Sequence, residues 1–196
     1  MRFLLPLRIA YDDSLTTRRG VDRPSGRCQY LGMASLADTL RVLNELETDG
    51  VIERYAVGGA MAMVFGAEPT LTFDLDVFVL LPEAPTLIVS LEPLYAALNS
   101  RGFEAVAEHV WIHGMPVQFI VSPNALSDEA IETAALRDIE GVAFRVIRPE
   151  YLCALWLQAG GAKRRERVEV LRQSGVLDEE ALRRLLSTHG IVRERA

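Results

Sequence analysis

The run Thr72-Phe73-Asp74-Leu75-Asp76-Val77-Phe78-Val79 sets two carboxylates inside an otherwise apolar stretch. Side chains alternate between the faces of a strand, so Asp74 and Asp76 share a face with Phe78 and Leu80 while Phe73, Leu75, Val77 and Val79 form the other. Beyond the aspartates both faces are apolar, which predicts a central strand over Phe73 to Leu81 rather than an edge. Carboxylates in such a run are costly to bury unless a cation or hydrogen-bond donors meet them. Two of them on one face are placed to hold a divalent cation between them, and that arrangement points to metal-assisted chemistry on a phosphate.

Just upstream, Tyr55-Ala56-Val57 reads as a short buried strand running into Gly58-Gly59, and Ala60 to Phe65 reads as a helix ended by Gly66. Glycines at a strand-to-helix turn let backbone N–H groups approach a phosphate closely. A glycine pair alone carries little weight, and it gains weight because Asp74 follows 15 positions after Gly59 on a strand expected to lie beside the turn. The competing explanation is a tight turn next to an aspartate pair at a solvated strand end. The apolar surroundings of the pair favour the phosphate reading.

The chain has 196 residues, 49% of them hydrophobic, enough for one compact domain or a core with a small appendage. Ser35-x-x-Asp38 reads as a capping-box variant opening a first helix, with Leu36, Leu40, Leu43 and Leu46 at helical spacing and a stop at Gly50. Helices are also predicted at Leu87 to Asn99, Asn124 to Ala135, Tyr151 to Gln158, Lys163 to Arg172 and Asp178 to His189. Val106 to Ile112 and Val117 to Val121 form a predicted hairpin around His113-Gly114, and Val142 to Val146 is a further strand. These elements describe an α+β chain, a small mixed sheet with flanking helices over 33–148 and a C-terminal helical segment over 149–196. Residues 1–32 read as a loosely ordered N-terminal extension, because Tyr11 to Tyr30 has neither helical nor strand period, and Met33 is the expected native start.

A net charge of -6, from 27 acidic and 21 basic residues, argues against a surface built for indiscriminate binding to nucleic acid. Cys28 and Cys153 have no metal-ligand spacing and form no disulfide framework, which makes a reducing cytoplasm the expected compartment. No segment approaches the roughly 20 apolar residues of a membrane span. His109, Trp111 and His113 share a strand face by alternation, for which an exposed edge is the expected setting.

Val57-Gly58-Gly59-Ala60-Met61-Ala62 together with Leu71-Thr72-Phe73-Asp74-Leu75-Asp76 resembles the nucleotidyltransferase superfamily of the DNA polymerase beta type, most closely AbiEii-type toxins and minimal nucleotidyltransferases. The resemblance runs from about Met33 to the C-terminus, through Gly114-Met115-Pro116-Val117-Gln118-Phe119 and Tyr151-Leu152-Cys153-Ala154-Leu155 to Lys163-Arg164-Arg165-Glu166-Arg167-Val168. It implies the nucleotidyltransferase fold and transfer of a nucleoside monophosphate from a nucleoside triphosphate to an acceptor hydroxyl. It further implies Mg2+ on Asp74 and Asp76, nucleotide contacts at Gly58, Gly59, Thr72 and Lys163, and an RNA, protein or small-molecule acceptor. The implied setting is a toxin-antitoxin or phage-defence pair with a cognate partner.

Several positions depart from that pattern. The third carboxylate of these enzymes falls at Gln118, whose amide cannot act as a general base, although it can contact a base or orient a water. The arginine ahead of the aspartates falls at Thr70, a helix lysine falls at Trp156, and the aspartate after Lys163 is Arg164. Glu68 and Glu108 are weak candidates to replace the carboxylate and read better as surface charges. Lys163, Arg164, Arg165 and Arg167 either supply the missing positive charge or form a solvated helix face paired with Glu166 and Glu169. Two functions stay open on the sequence: an active magnesium-dependent nucleotidyltransferase, and a catalytically degenerate relative that binds a nucleotide or a partner protein.

Overall fold

The computed structural model describes residues 31–64, 74–82 and 90–191. Thr70, Thr72, Glu68, Phe73 and residues 1–30 of the extension expected over 1–32 lie outside the described residues, as does the expected start of the helix at Leu87; Leu31 and Gly32 belong to the first helix. Residues 31–196 form one compact unit, separate from 1–30. Its elements are α1 (Leu31–Thr48), β1 (Arg54–Val57), α2 (Gly59–Val64), β2 (Leu75–Leu80), α3 (Glu92–Ser100), β3 (Ala105–Val106), β4 (His109–Ile112) and β5 (Met115–Val121). After these come α4 (Ala125–Glu132), β6 (Ala135–Ile139), β7 (Val142–Val146), α5 (Pro149–Ala159), α6 (Ala162–Gln173) and α7 (Glu179–Thr188).

The strands form one mixed sheet in the order β3-β4-β5-β2-β1-β7-β6. The aspartate strand β2 is its middle member, antiparallel to β1 and parallel to β5, as its two apolar faces require. Leu75, Val77 and Val79 are fully buried on one face, while Asp76, Phe78 and Leu80 are half-buried on the other. Across the buried face runs α1, whose Leu36, Leu40, Leu43 and Leu46 all enter the core. Polar bonds register the helix on the sheet: Thr39 Oγ1 donates to the Ile112 carbonyl at 2.9 Å and Asn44 Nδ2 to the Ala143 carbonyl at 2.9 Å. The buried Tyr55 hydroxyl donates to Asn44 Oδ1 at 2.6 Å, and burial pushes its pKa well above the ordinary tyrosine value.

Three expectations need correction. Ser35-x-x-Asp38 does not open the first helix, because α1 already runs from Leu31, and Asp38 instead pairs with Arg41 one turn on. The helix expected over Asn124 to Ala135 stops at Glu132, and Ala135–Ile139 forms strand β6, which the sequence reading missed. The missed signal was Glu140-Gly141, both with positive φ (51° and 77°), which closes the β6–β7 hairpin. A two-residue turn of that kind matches the twist of paired strands. The third concerns His109: β4 is not an edge, since the short strand β3 pairs outside it, with Val106 opposite His109.

The last three helices pack on one another through α5, which also meets α4. The Glu129 carboxylate of α4 accepts the Tyr151 hydroxyl of α5 at 2.6 Å and lies 3.0 Å from His189 Nε2 after α7. Those bonds, chiefly the one from Tyr151, hold the Glu129 carboxyl below its usual value. Leu43, with no exposed surface, is the sharpest test of the α1–sheet core: Leu43→Ala lowers unfolding stability by about 2–5 kcal/mol. Val170→Ala, at a position 40% exposed, stays within about 0.5 kcal/mol of the wild type, both read from urea unfolding.

Candidate functional site

Gly58 and Gly59 end β1 at the point where it lies against the aspartate strand. The Gly58 amide donates to the Asp76 carbonyl at 2.8 Å, which ties the turn to the strand. Gly59 has φ +58°, a left-handed conformation, and a Cβ built there would stand 2.8 Å from Asp76 Cβ and nearer still to its carboxylate. A side chain at this position therefore collides with the Asp76 side chain as well as straining the backbone. At Gly58 a Cβ would meet the edge of the Phe78 ring at 2.5 Å and Ile147 Cδ1 at 3.3 Å, side-chain atoms with more room to yield. The two glycines are thus required for different reasons, and only Gly59 is required by the carboxylate.

Asp76 is half-buried, and burial raises its carboxyl pKa above the ordinary value, with the neighbouring Asp74 carboxylate adding to the rise. Arg167, His109 and Arg164 pull it back down. A desolvated carboxylate beside a second one is the environment a divalent cation relieves. The donor set fits Mg2+, which is commonly held by one or two carboxylates with water and substrate phosphate oxygens in the remaining positions. No cluster of three or more His, Cys, Asp or Glu side chains suited to a metal occurs among the described residues.

The neighbouring strands extend this face. In the β2–β5 register Gln118 lies opposite Asp76, so the neutral amide occupies the position beside the carboxylate where the resemblance implied a third one. The β4–β5 register, with Val110 opposite Val117, carries the row one strand further to His109. His109 Nε2 is buried and makes no hydrogen bond, whereas Trp111 and His113 on the same strand and turn are exposed. Alternation pointed to all three histidine-strand residues alike; the strand order needed to single out His109 was not visible in the sequence. Glu108 is exposed at the β3–β4 turn and does not approach the role of a replacement carboxylate.

The basic segment expected from the sequence is the first half of α6. Lys163, Arg164 and Arg165 are exposed and Arg167 is half-buried, its guanidinium carbon 5.7 Å from the centroid of the Trp156 ring. Glu169 lies 3.7 Å from Arg172 and 3.3 Å from Gln173, and the positive charges of Arg167 and Arg164 favour the ionised form of Asp76. Cys153 is buried in α5 and burial pushes its thiol up to about 12, so it is a packing residue and not a nucleophile. A cavity of about 530 Å³ between α3 and β3 and one of about 230 Å³ beside α2 and β7 are lined by neither aspartate.

No protein-family model matches the chain, and no curated protein matches it in sequence. Solved structures do match it in shape. A nucleotidyltransferase-like antigenic protein from Paracoccidioides brasiliensis is 15% identical, with 81% of this chain covering 88% of that one at a TM-score of 0.50. The antibiotic-resistance factor ANT(2'')-Ia is similar at 15% identity over 81% of this chain and 92% of its own, with a TM-score of 0.48. The same factor in complex with adenylyl-2''-tobramycin matches at 16% identity over 80% of this chain and 95% of its own, TM-score 0.48. The fold is that of nucleotidyltransferases.

Two outcomes follow from the turn and its carboxylate. Gly59→Ala costs at least about 1–2 kcal/mol from the left-handed backbone alone, and Gly58→Ala costs less, by denaturant midpoints. For Asp76 the folded-state pKa lies above the unfolded value, so its contribution to stability is complete only below the unfolded value and is lost as pH rises through the folded one. Asp76→Asn therefore melts above the wild type at pH 7.5 in the presence of a chelator, and the gap narrows as the buffer is taken towards pH 4.

Proposed function

We propose that this chain is a magnesium-dependent nucleotidyltransferase that moves a nucleoside monophosphate from a nucleoside triphosphate to an acceptor hydroxyl on an RNA, a protein or a small compound. The observation that carries this reading is the seating of the Asp76 carboxylate of the central strand against Gly59, with Asp74 at the bend just before that strand and its charge raising the Asp76 pKa. A glycine turn and a carboxylate pair in contact are what a triphosphate bound through a divalent cation requires. The nucleotidyltransferase fold supports the same reading.

In this scheme Asp74 and Asp76 would hold Mg2+, which when bound would supply neutralisation of the phosphate charge. The backbone at Gly58-Gly59 and the side chain of Lys163 would contact the nucleotide; Thr72, the other expected contact, lies outside the described residues. The acceptor oxygen forms a bond to the α-phosphorus while the bond from that phosphorus to the bridging oxygen breaks, and pyrophosphate leaves with the electron pair. Gln118, beside Asp76, orients the acceptor or a water through its amide and takes no proton. The cellular setting we infer is cytoplasmic, a toxin-antitoxin or phage-defence pair of the AbiEii kind, whose cognate partner is a small helical protein encoded alongside. Among the described residues no helix is long and apolar enough to cross a membrane.

One observation favours a second reading. The neutral Gln118 where a third carboxylate would stand fits a degenerate relative that binds a nucleotide or a partner protein through the same face without catalysing transfer.

A thermal-shift series with each nucleoside triphosphate, with and without Mg2+, tests the nucleotide site on which the first reading depends, and transfer to an acceptor separates an active enzyme from a nucleotide-binding relative. A ligand at about 100 times its dissociation constant adds about 2.7 kcal/mol, a rise of several degrees. The expected result is a magnesium-dependent rise that disappears in the Asp74→Ala/Asp76→Ala protein; no rise with any nucleotide would sink the nucleotide reading and leave partner binding. Once an acceptor is in hand, Asp76→Asn lowers the transfer rate by at least about a hundredfold, equivalent to roughly 3 kcal/mol, and Gln118→Ala lowers it less.

A further inference from the structure

The cavity of about 530 Å³ beside β3 is an open groove with two walls of different origin. One wall is a single face of α3, where Glu92, Tyr95 and Asn99 follow one another at spacings of three and four residues. Leu94 and Leu98 turn away from it into the core, and Arg101 at the end of the helix is taken by Asp49. The other wall is Phe103, Glu104 and Ala105, with the Phe103 ring met edge-on by the His113 ring at 5.2 Å between centroids.

Ala105 leaves a backbone donor and acceptor open at this wall. The Trp111 amide donates to the Glu104 carbonyl at 3.2 Å, which makes those two residues a hydrogen-bonded position of the β3–β4 ladder. Positions alternate along an antiparallel ladder, so Ala105, opposite Val110, points its N–H and C=O away from β4. β3 ends the sheet on that side and Ala105 is exposed, so no described strand pairs with it there. An unpaired edge of this kind is a template for a further strand. The carboxylates of Glu92 and Glu104 make no ion pair and accept no hydrogen bond among the described residues, and no described Lys, Arg or His lines the groove. Its field therefore repels phosphate-bearing chains and attracts a cation, and the Tyr95 and Phe103 rings suit the flat or apolar body of an organic one.

We propose that this groove is a docking site for an extended, basic segment of a partner protein. The segment adds as a strand on Ala105, alongside α3, and sets a lysine or arginine side chain between Glu92 and Glu104. Neither carboxylate nor Ala105 belongs to the aspartate row, so the inference does not rest on the nucleotide reading. The probe is a fluorescently labelled pentapeptide with arginine at its centre and valine and threonine on either side, titrated with the full chain and read by anisotropy. Two companion peptides carry at the centre citrulline, which keeps the shape and loses the charge, or glutamate.

The arginine peptide binds saturably, and its affinity falls as salt is raised. The citrulline peptide binds at least about tenfold more weakly, the factor that 1.4 kcal/mol represents, and the glutamate peptide does not bind. Glu92→Gln/Glu104→Gln, at two exposed positions, loses the same factor and melts as the wild type does. Ala105→Pro removes the outward N–H without touching a β3–β4 bond and weakens the arginine peptide about tenfold. Its melting temperature is measured first, and an arginine peptide with a methylated backbone repeats the test on the unaltered protein. No binding of the arginine peptide would overturn the inference, as would equal affinity for the three peptides or for the wild type and the double-glutamine protein. Binding that needs both carboxylates but survives Ala105→Pro and backbone methylation would overturn strand addition in favour of a site for small organic cations. A dimer in light scattering that disappears in the double-glutamine protein, and that the peptide fails to dissociate, would overturn it in favour of a second copy of the chain.

Discussion

The Asp76 carboxylate occupies the space that a side chain on Gly59 would need, and most of the site follows from that one steric relation. It fixes the second residue after β1, Gly59, as a glycine in a left-handed conformation. It also brings the backbone turn against the carboxylate in the middle of the sheet, where β1 and β2 pair antiparallel and the Gly58 amide bonds to the Asp76 carbonyl. A strand with two apolar faces is a normal central strand. One with a carboxylate pair on its less covered face, held open by a glycine, is built to meet something charged.

Burial and the repulsion between the two aspartates make that face unfavourable when it is ionised and unaccompanied. Within the sheet the next positions in the row are the neutral Gln118 and the imidazole of His109. Arg167 and Arg164 of α6, with His109, favour the ionised form of Asp76. The placement of the arginines depends on the C-terminal helices being docked as a group, and Glu129 contributes by receiving bonds from both α5 and the residue that ends α7. The helical segment is therefore part of the electrostatics of the aspartate face.

A chain that lacks some of the charges its resemblance implies can restore them from different elements. The aromatic residue standing at the position of an expected lysine, Trp156, carries an arginine from the following helix on its ring. Charge is conserved in such a replacement while its covalent origin is not, because Coulomb interactions depend on position and surroundings and not on which helix supplies the group. Glu108, a sequence candidate for the absent third carboxylate, is exposed at the β3–β4 turn.

Periodicity along the chain was sufficient for much of the architecture. The central position of the aspartate strand, the leucine stripe of α1, the glycine turn before α2 and the His113-Gly114 hairpin were all legible, because each depends on alternation, helical spacing or a turn residue within a few positions. The short strand β6 was lost beside a helix of similar composition, and the start of α1 was misplaced by a capping pattern that competes with a helix already under way. Partner choice was beyond such local signals. That Gln118 and His109 continue the Asp76 row, that Arg164 and Arg167 reach the same carboxylate from about 90 residues away in sequence, and that a tryptophan supports one of them were settled by strand order and helix docking. The sequence alone determined which groups share a face; which faces meet was decided only by the packed structure, because burial of the apolar surfaces selects one arrangement of elements whose local patterns fit several.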